Sequence, residues 1–195
     1  MDGKHSFIAE ARREQIMKAA IEALGEVGYA NVSLSQIAKK ANISTGLISY
    51  HFSGKEDLIN NTLMYLSQQE WFYIRGKVES KQTPTEKLIA FIEASLAYQA
   101  TNQVNNIALI EIVFNARTPD HVPYYKLEDH EEDFVSNLLQ EILHKGQESK
   151  EFRDFHPRVA ATVIKGAISE SLLSSHINLE EYSEELIHMI LTMVK

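Results

Sequence analysis

The sequence contains no cysteine, four prolines, eight glycines and a single tryptophan. Without cysteine there can be no disulfide, thiolate zinc site, iron–sulfur cluster or cysteine nucleophile. So little proline and glycine in 195 residues argues against long flexible linkers. No apolar run reaches the roughly 18 residues that a membrane-spanning helix needs. The start, Met1-Asp2-Gly3-Lys4-His5, leads into an Arg- and Glu-rich stretch and not an apolar signal core, so a cytoplasmic protein without a membrane partner is expected. Strand-like alternation of useful length is missing. The eight histidines show no HExxH or other ligand spacing, and there is no Gly-rich phosphate loop or nucleophile elbow. Asp120-His121 and the run Glu128-Asp129-His130-Glu131-Glu132-Asp133 are the nearest approach to a metal set. An acidic run of this kind is explained by a solvated helix start, where the macrodipole favours negative charge. No metal, no cofactor and no enzymatic activity are therefore expected.

What is present is ordinary for a globular chain, with 44% hydrophobic and 24% charged residues. The length suggests one to two compact units. The net charge of −8 argues at first against nucleic acid, but its distribution does not. Residues 1–60 hold seven basic and seven acidic side chains, so residues 61–195 carry the whole excess. Residues 27–55 contain Lys39, Lys40 and Lys55 and no acid. A local positive surface can neutralise phosphates even on an acidic protein, because screening limits distant charges to about 8 Å. A chance gap in acids is the other reading.

Helical periodicity runs through nearly the whole chain. A first helix is expected over about Ala9 to Val27, with Gly28 closing it. Ser33-Leu-Ser-Gln36 is a capping box opening a helix to about Lys40, and Ser44 caps another over Thr45 to about Tyr50. Ser53-Gly-Lys-Glu56 reads as a second capping box at the head of a long helix from Lys55 to about Glu79. Later helices are expected near 85–101, 104–117, 126–147, 156–176 and 180–194, with Pro119 and Pro123 breaking the chain and Pro157 in a first turn. The expected fold class is all-α: an N-terminal three-helix helix-turn-helix domain over 1–54, then a helical bundle over 55–195 for ligand binding and dimerisation.

Two short helices joined by a turn have the dimensions of a helix-turn-helix, although a plain helical hairpin has them too. The second helix begins with small polar groups at Ser44, Thr45, Gly46 and Ser49, which suits close approach to base edges. Tyr50 and Lys55 flank it, where a phenol and an ammonium could hold phosphates.

These residues also carry a resemblance. The runs Gln15 to Tyr29, Val32 to Ala38, Ala41-Asn-Ile-Ser-Thr-Gly-Leu-Ile-Ser-Tyr-His-Phe52 and Lys55-Glu-Asp-Leu58 are similar to the DNA-binding domain of the tetracycline-repressor (TetR) family. The motifs cover residues 10–60; beyond them the resemblance rests on architecture. It implies a bacterial transcriptional regulator, usually a repressor, that binds operator DNA as a homodimer and answers to a small molecule. Such a protein is cytoplasmic and sits at the nucleoid when bound to DNA. By position the resemblance gives Ser33 a phosphate contact, Thr45 and Gly46 base contacts, Tyr50 and His51 backbone contacts, Lys55 a phosphate and Phe52 a buried packing role. His51 departs from the tyrosine usual there. The Ser44-Thr-Gly-Leu-Ile-Ser49 stretch is also similar to the choline-responsive branch of that family.

The second half offers two candidate surfaces. Ile107, Ile110, Glu111 and Phe114 share one helical face. A carboxylate there either meets a ligand or is paired at the stripe edge. Trp71, Phe72, Tyr73, Phe91 and Tyr98 form the core or line a cavity between helices. A ligand pocket is thus expected from Trp71, Phe72, Phe91, Tyr98, Ile110, Glu111 and Phe114, for a lipophilic or cationic effector. A dimer face is expected from Ala160, Val163, Ile164, Ala167, Ile168, Leu172, Leu186, Ile190 and Met193, the other reading being that these stripes face their own core. An all-α interaction or sensor protein that does not bind DNA is the remaining functional alternative.

Overall fold

The computed structural model describes residues 2–118, 120–126, 133–172 and 178–195, with the backbone alone for residues 2–6. Among these residues there are nine α-helices: α1 (Asp2–Asn31), α2 (Leu34–Lys40), α3 (Thr45–His51), α4 (Lys55–Glu79), α5 (Pro84–Thr101), α6 (Gln103–Asn115), α7 (Phe134–Glu148), α8 (Pro157–Glu170) and α9 (Leu179–Val194). Tyr124–Lys126 is a short 3-10 turn, and a single bridge joins Arg117 to Pro123. The fold is all-α, as the periodicity implies. No described helix is long and apolar enough to cross a membrane.

The chain divides into two compact units, and the division differs from the expected 1–54 and 55–195. One unit comprises Met1–Leu66 with Gln103–Glu128; the other comprises Ser67–Asn102 with Asp129–Lys195. The boundary therefore falls within α4, and α6 joins the N-terminal unit. The physical reason is burial: Ala108 and Ile112 of α6, with Ala116 after it, share one core with Ile16, Ala20 and Leu24 of α1. Ile37 of α2, Ile48 of α3, Phe52, and Leu58, Ile59 and Leu66 of α4 complete that core.

The second unit has its own core. Ile74 and Val78 of α4, Leu88, Phe91 and Ile92 of α5, Leu139 and Leu143 of α7, Ile164 and Ile168 of α8, and Leu186, Ile190 and Val194 of α9 meet around Phe152. Glu151 accepts from both the N–H and the hydroxyl of Thr85 in the first turn of α5, at 3.1 and 2.8 Å. Arg153 donates to the Met193 and Val194 carbonyls and so ties down the end of α9.

One capping box is as expected, and several boundaries differ. Ser33 and Gln36 form the reciprocal capping box of α2. The box expected from Ser53 and Glu56 is replaced by Asp57, whose carboxylate accepts the Ser53 N–H at 2.8 Å. Gly28 breaks α1 with φ 73° and ψ 166°, and one further turn follows it instead of the helix ending there. α7 starts at Phe134, capped by Asp133, and not near 126. α8 ends at Glu170, short of 176. Pro119, residues 128–132 of the acidic run and residues 173–176 lie outside the described residues.

Candidate nucleic-acid interface

α2 and α3 form a helix-turn-helix whose packing sorts its residues cleanly. Ile37, Ala38 and Ile48 are buried in the N-terminal core, while Ser44, Thr45, Gly46, Ser49 and Tyr50 are exposed. Ser44 is the N-cap of α3, its hydroxyl accepting the Leu47 N–H at 3.2 Å. The Ser49 hydroxyl folds back on the Thr45 carbonyl at 3.2 Å. Tyr50 is 81% exposed, with its ring edge-on to His51 at 5.0 Å. A methyl group added at Gly46 would meet nothing closer than the Ser44 hydroxyl at 3.8 Å. Packing within the chain therefore does not demand glycine at this position. Ser33, exposed at the head of α2, is held by its own capping box.

The far end of α3 is fixed by residues that local sequence patterns do not mark. Arg13 of α1 donates to the His51 carbonyl at 2.5 Å and to Asn61 Oδ1 at 2.7 Å, and its guanidinium lies 4.3 Å from the centre of the Phe52 ring. Asn61 in turn donates to Asp57, whose other oxygen takes the Ser53 N–H. Phe52 is buried beneath this network. The partners lie 38 and 48 residues from Arg13, so no window of helix periodicity reveals them. The one signal available is a basic residue on a helix whose next turn is the apolar stripe.

The three lysines of the acid-free stretch have different surroundings. Lys39 is exposed at the end of α2. Lys40 is paired with Glu26 at 2.7 Å and Glu22 at 3.6 Å, so acids from α1 cancel its contribution to a positive surface. Lys55 donates to the Tyr29 carbonyl at 2.9 Å and sits 4.7 Å from the centre of the Tyr29 ring. Burial there lowers its pKa from the usual lysine value. An ammonium has three donors, so two remain after Tyr29 is served.

The expected ligand set is not brought together within either unit. Ile110, Glu111 and Phe114 belong to the N-terminal unit, and Trp71, Phe72, Phe91 and Tyr98 to the other. Ile107, Ile110 and Phe114 do share a face of α6, but it is the exposed face, opposite Ala108 and Ile112. Glu111, expected as a pocket acid, instead accepts the Tyr29 N–H at 2.8 Å and an Asn115 amide N–H at 3.2 Å. Phe91 is 1% exposed and is core, whereas Phe72 is 62% exposed. Trp71 packs on Phe72 and Phe134. Tyr98 is buried against Tyr73, ring centres 5.5 Å apart. One α5 group stands out: the Ser95 hydroxyl is buried with no hydrogen-bond partner among the described residues. A groove of about 430 Å³ lies in the N-terminal unit between α1 and α2, lined by Glu14, Gln15, Lys18, Glu22 and Lys40 among others. None of its residues belongs to the expected set.

The expected dimer set is also largely spoken for. Ala160, Ile164, Ile168, Leu186 and Ile190 are buried in their own unit, and Ala167, Leu172 and Met193 are half-buried. Val163 is exposed, and so are Val159 and Met189, which lie beside the expected stripes. Small residues such as Ala160 pack in the core of their own unit here, and the same residues would suit close packing on a second copy.

Residues 16–62 match the model of the bacterial regulatory proteins of the tetR family. The relatives include the HTH-type transcriptional regulator BetI of Burkholderia cenocepacia, 31% identical over 87 residues, 44% of this chain and 45% of that protein. BetI of Pectobacterium carotovorum is 31% identical over 93 residues, 47% and 48% of the two chains. The matched stretch thus spans about half the length of these relatives. Among solved structures, the regulator FadR of Bacillus subtilis, in complex with stearoyl-CoA, superposes with a TM-score of 0.74 at 23% identity, covering 91% of this chain and 97% of that one. A Clostridium perfringens putative fatty acid metabolism regulator reaches 0.77 at 20% identity, with the same coverage. The TetR-family resemblance of the N-terminal segment is therefore shown by sequence, and the fold over about nine-tenths of the chain by structure.

Proposed function

We propose that this chain, a tetR-family protein by its residues 16–62 and its fold, is a one-component regulator that represses transcription. It binds palindromic duplex DNA as a homodimer and is released by a small-molecule effector. The observation that carries the reading is α3, a capped helix that buries Ile48 and turns Thr45, Gly46, Ser49 and Tyr50 outward. In a major groove its first residues would meet base edges while Tyr50, His51, Ser33 and Lys55 meet the phosphate backbone.

A palindrome requires two heads at a spacing of about 34–36 Å. Dimerisation through the outward faces of α8 and α9 is supported by Val159 and Val163 beside Gly166, and by Met189. The effector would be held by the C-terminal unit, where Ser95 offers a buried hydroxyl. A lipophilic effector is favoured over a cationic one, because Glu111 is engaged by the Tyr29 amide. An effector that binds better to one head arrangement lowers DNA affinity by its differential affinity for the two states. The protein would act in the cytoplasm, at the nucleoid when bound.

Selection of bound fragments from random duplex DNA at two salt concentrations tests this reading. A recovered palindrome, bound more weakly at the higher salt, is the expected outcome. A folded, dimeric protein that enriches no sequence would point to the interaction or sensor protein instead.

A further inference from the structure

The break at Gly28 leaves Tyr29 at the start of a new helical turn. The first N–H groups of any turn lack partners within it. Gly28 acts as the cap residue of that turn, its carbonyl accepting the Val32 N–H at 3.1 Å. Capping residues ordinarily supply a side-chain oxygen as well, and glycine has none. Glu111 of α6 supplies it from a distance of 82 residues, accepting the Tyr29 N–H at 2.8 Å. The same oxygen lies 3.2 Å from where a Gly28 Cβ would stand. The glycine therefore serves both its backbone angle and the approach of the carboxylate. On its other side Tyr29 holds Lys55 by its carbonyl, at 2.9 Å, and by its ring. Lys55 opens α4 just beyond the end of α3.

We infer that Glu111 is a positioning residue for the DNA-binding surface: it caps the Tyr29 turn and so fixes the Lys55 ammonium beside the recognition helix. The inference rests on the DNA-binding reading. A free lysine side chain loses rotamer entropy when it engages a phosphate, and one already held in place loses less. The carboxylate is suited to the task because charge-assisted hydrogen bonds are the stronger kind. Glu111 touches no DNA in this account; it acts through Tyr29 and Lys55.

The test uses the full chain and a duplex recovered by selection from random DNA, with Glu111→Ala, Glu111→Gln, Lys55→Ala and the Glu111→Ala/Lys55→Ala double variant. Glu111→Ala should weaken binding about fivefold to tenfold, less than a direct charge-assisted hydrogen bond is worth, because Glu111 acts through Tyr29 and Lys55. It should lower the salt slope by less than the roughly one unit per half-site expected for Lys55→Ala, because the Lys55 charge remains. Glu111→Gln keeps an acceptor oxygen and should recover most of the affinity. With Lys55 already replaced, Glu111→Ala should cost less than about twofold, because coupled residues are not additive. Amide exchange at Tyr29 should speed up in Glu111→Ala while the C-terminal helices exchange as before, which separates positioning from unfolding. Unchanged affinity and slope in Glu111→Ala, on a duplex the unmodified protein binds, would overturn the inference alone. So would an equal loss with and without Lys55. An unmodified protein that binds no duplex would overturn the DNA-binding reading itself.

Discussion

Two helical glycines, one in each unit, differ in what the chain around them demands. At Gly46 in α3 an added methyl would find its nearest neighbour at 3.8 Å, in ordinary contact, and the position faces outward. At Gly146 in α7 the same methyl would overlap the Phe152 ring at 1.9 Å. The C-terminal glycine is explained by the chain's own core. Nothing inside the molecule demands the N-terminal one, which is also true of Gly76 and Gly166 in the C-terminal unit. The same contrast holds for larger side chains. The apolar stripes of α8 and α9 mostly turn inward, whereas α3 presents Tyr50 to solvent.

The largest expected effect breaks the C-terminal side of the comparison. Gly146→Ala forces Phe152, 4% exposed, out of its site and should cost about 3 kcal/mol of that unit's stability, the upper range for overpacking. Denaturant titration would measure it, and an unchanged midpoint would show that Phe152 is not held as described. Next comes Arg13→Ala, which leaves the end of α3 without its tie to α1. A loss of about 2 kcal/mol from the N-terminal unit is expected for a charged hydrogen-bonding group, together with weaker DNA binding. Thermal melts and a binding isotherm would read the two effects.

Gly46→Ala sharpens the comparison by splitting its two readouts. Alanine is the better helix former, so the variant should gain about 0.5–1 kcal/mol of stability. DNA affinity should fall all the same, because the methyl occupies the space left for the partner. Gain in both would make Gly46 an incidental residue. The smallest effect concerns Glu70 of α4, in the C-terminal unit. Burial raises its carboxyl pKa, with Lys165 lowering it and Asp133 raising it further. The folded state therefore favours the protonated form. That contribution is full below the ordinary glutamate range and is lost as pH rises through the elevated folded value. Glu70→Gln should be the slightly more stable protein at neutral pH, and the difference should close on acidification. Parallel melts across pH would follow it.

The N-terminal fold was readable in the sequence because its determinants are local. Ser33 with Gln36, and Ser44 before Thr45, announce helix starts within four residues. Gly28 marks the place where α1 changes, although one turn continues past it. What could not be read is whatever depends on distant chain. Arg13 meets His51 and Asn61, Glu111 meets Tyr29, and α6 packs on α1, all across separations that periodicity does not span. The face shared by Ile107, Ile110 and Phe114 was legible, but whether it turned inward was not. That depends on Ala108 and Ile112, which pack against α1 on the opposite side. The same ambiguity attends α8, where small residues permit close approach to either a neighbouring helix or a second copy.

The division of labour between the units is tested most directly by amide hydrogen exchange of the full chain with and without a selected palindromic duplex. The account predicts new protection over residues 33–36 and 44–55, with the buried helical face of the C-terminal unit exchanging at its former rate. Protection confined to α8 and α9, or an unchanged pattern under saturating duplex, would contradict it.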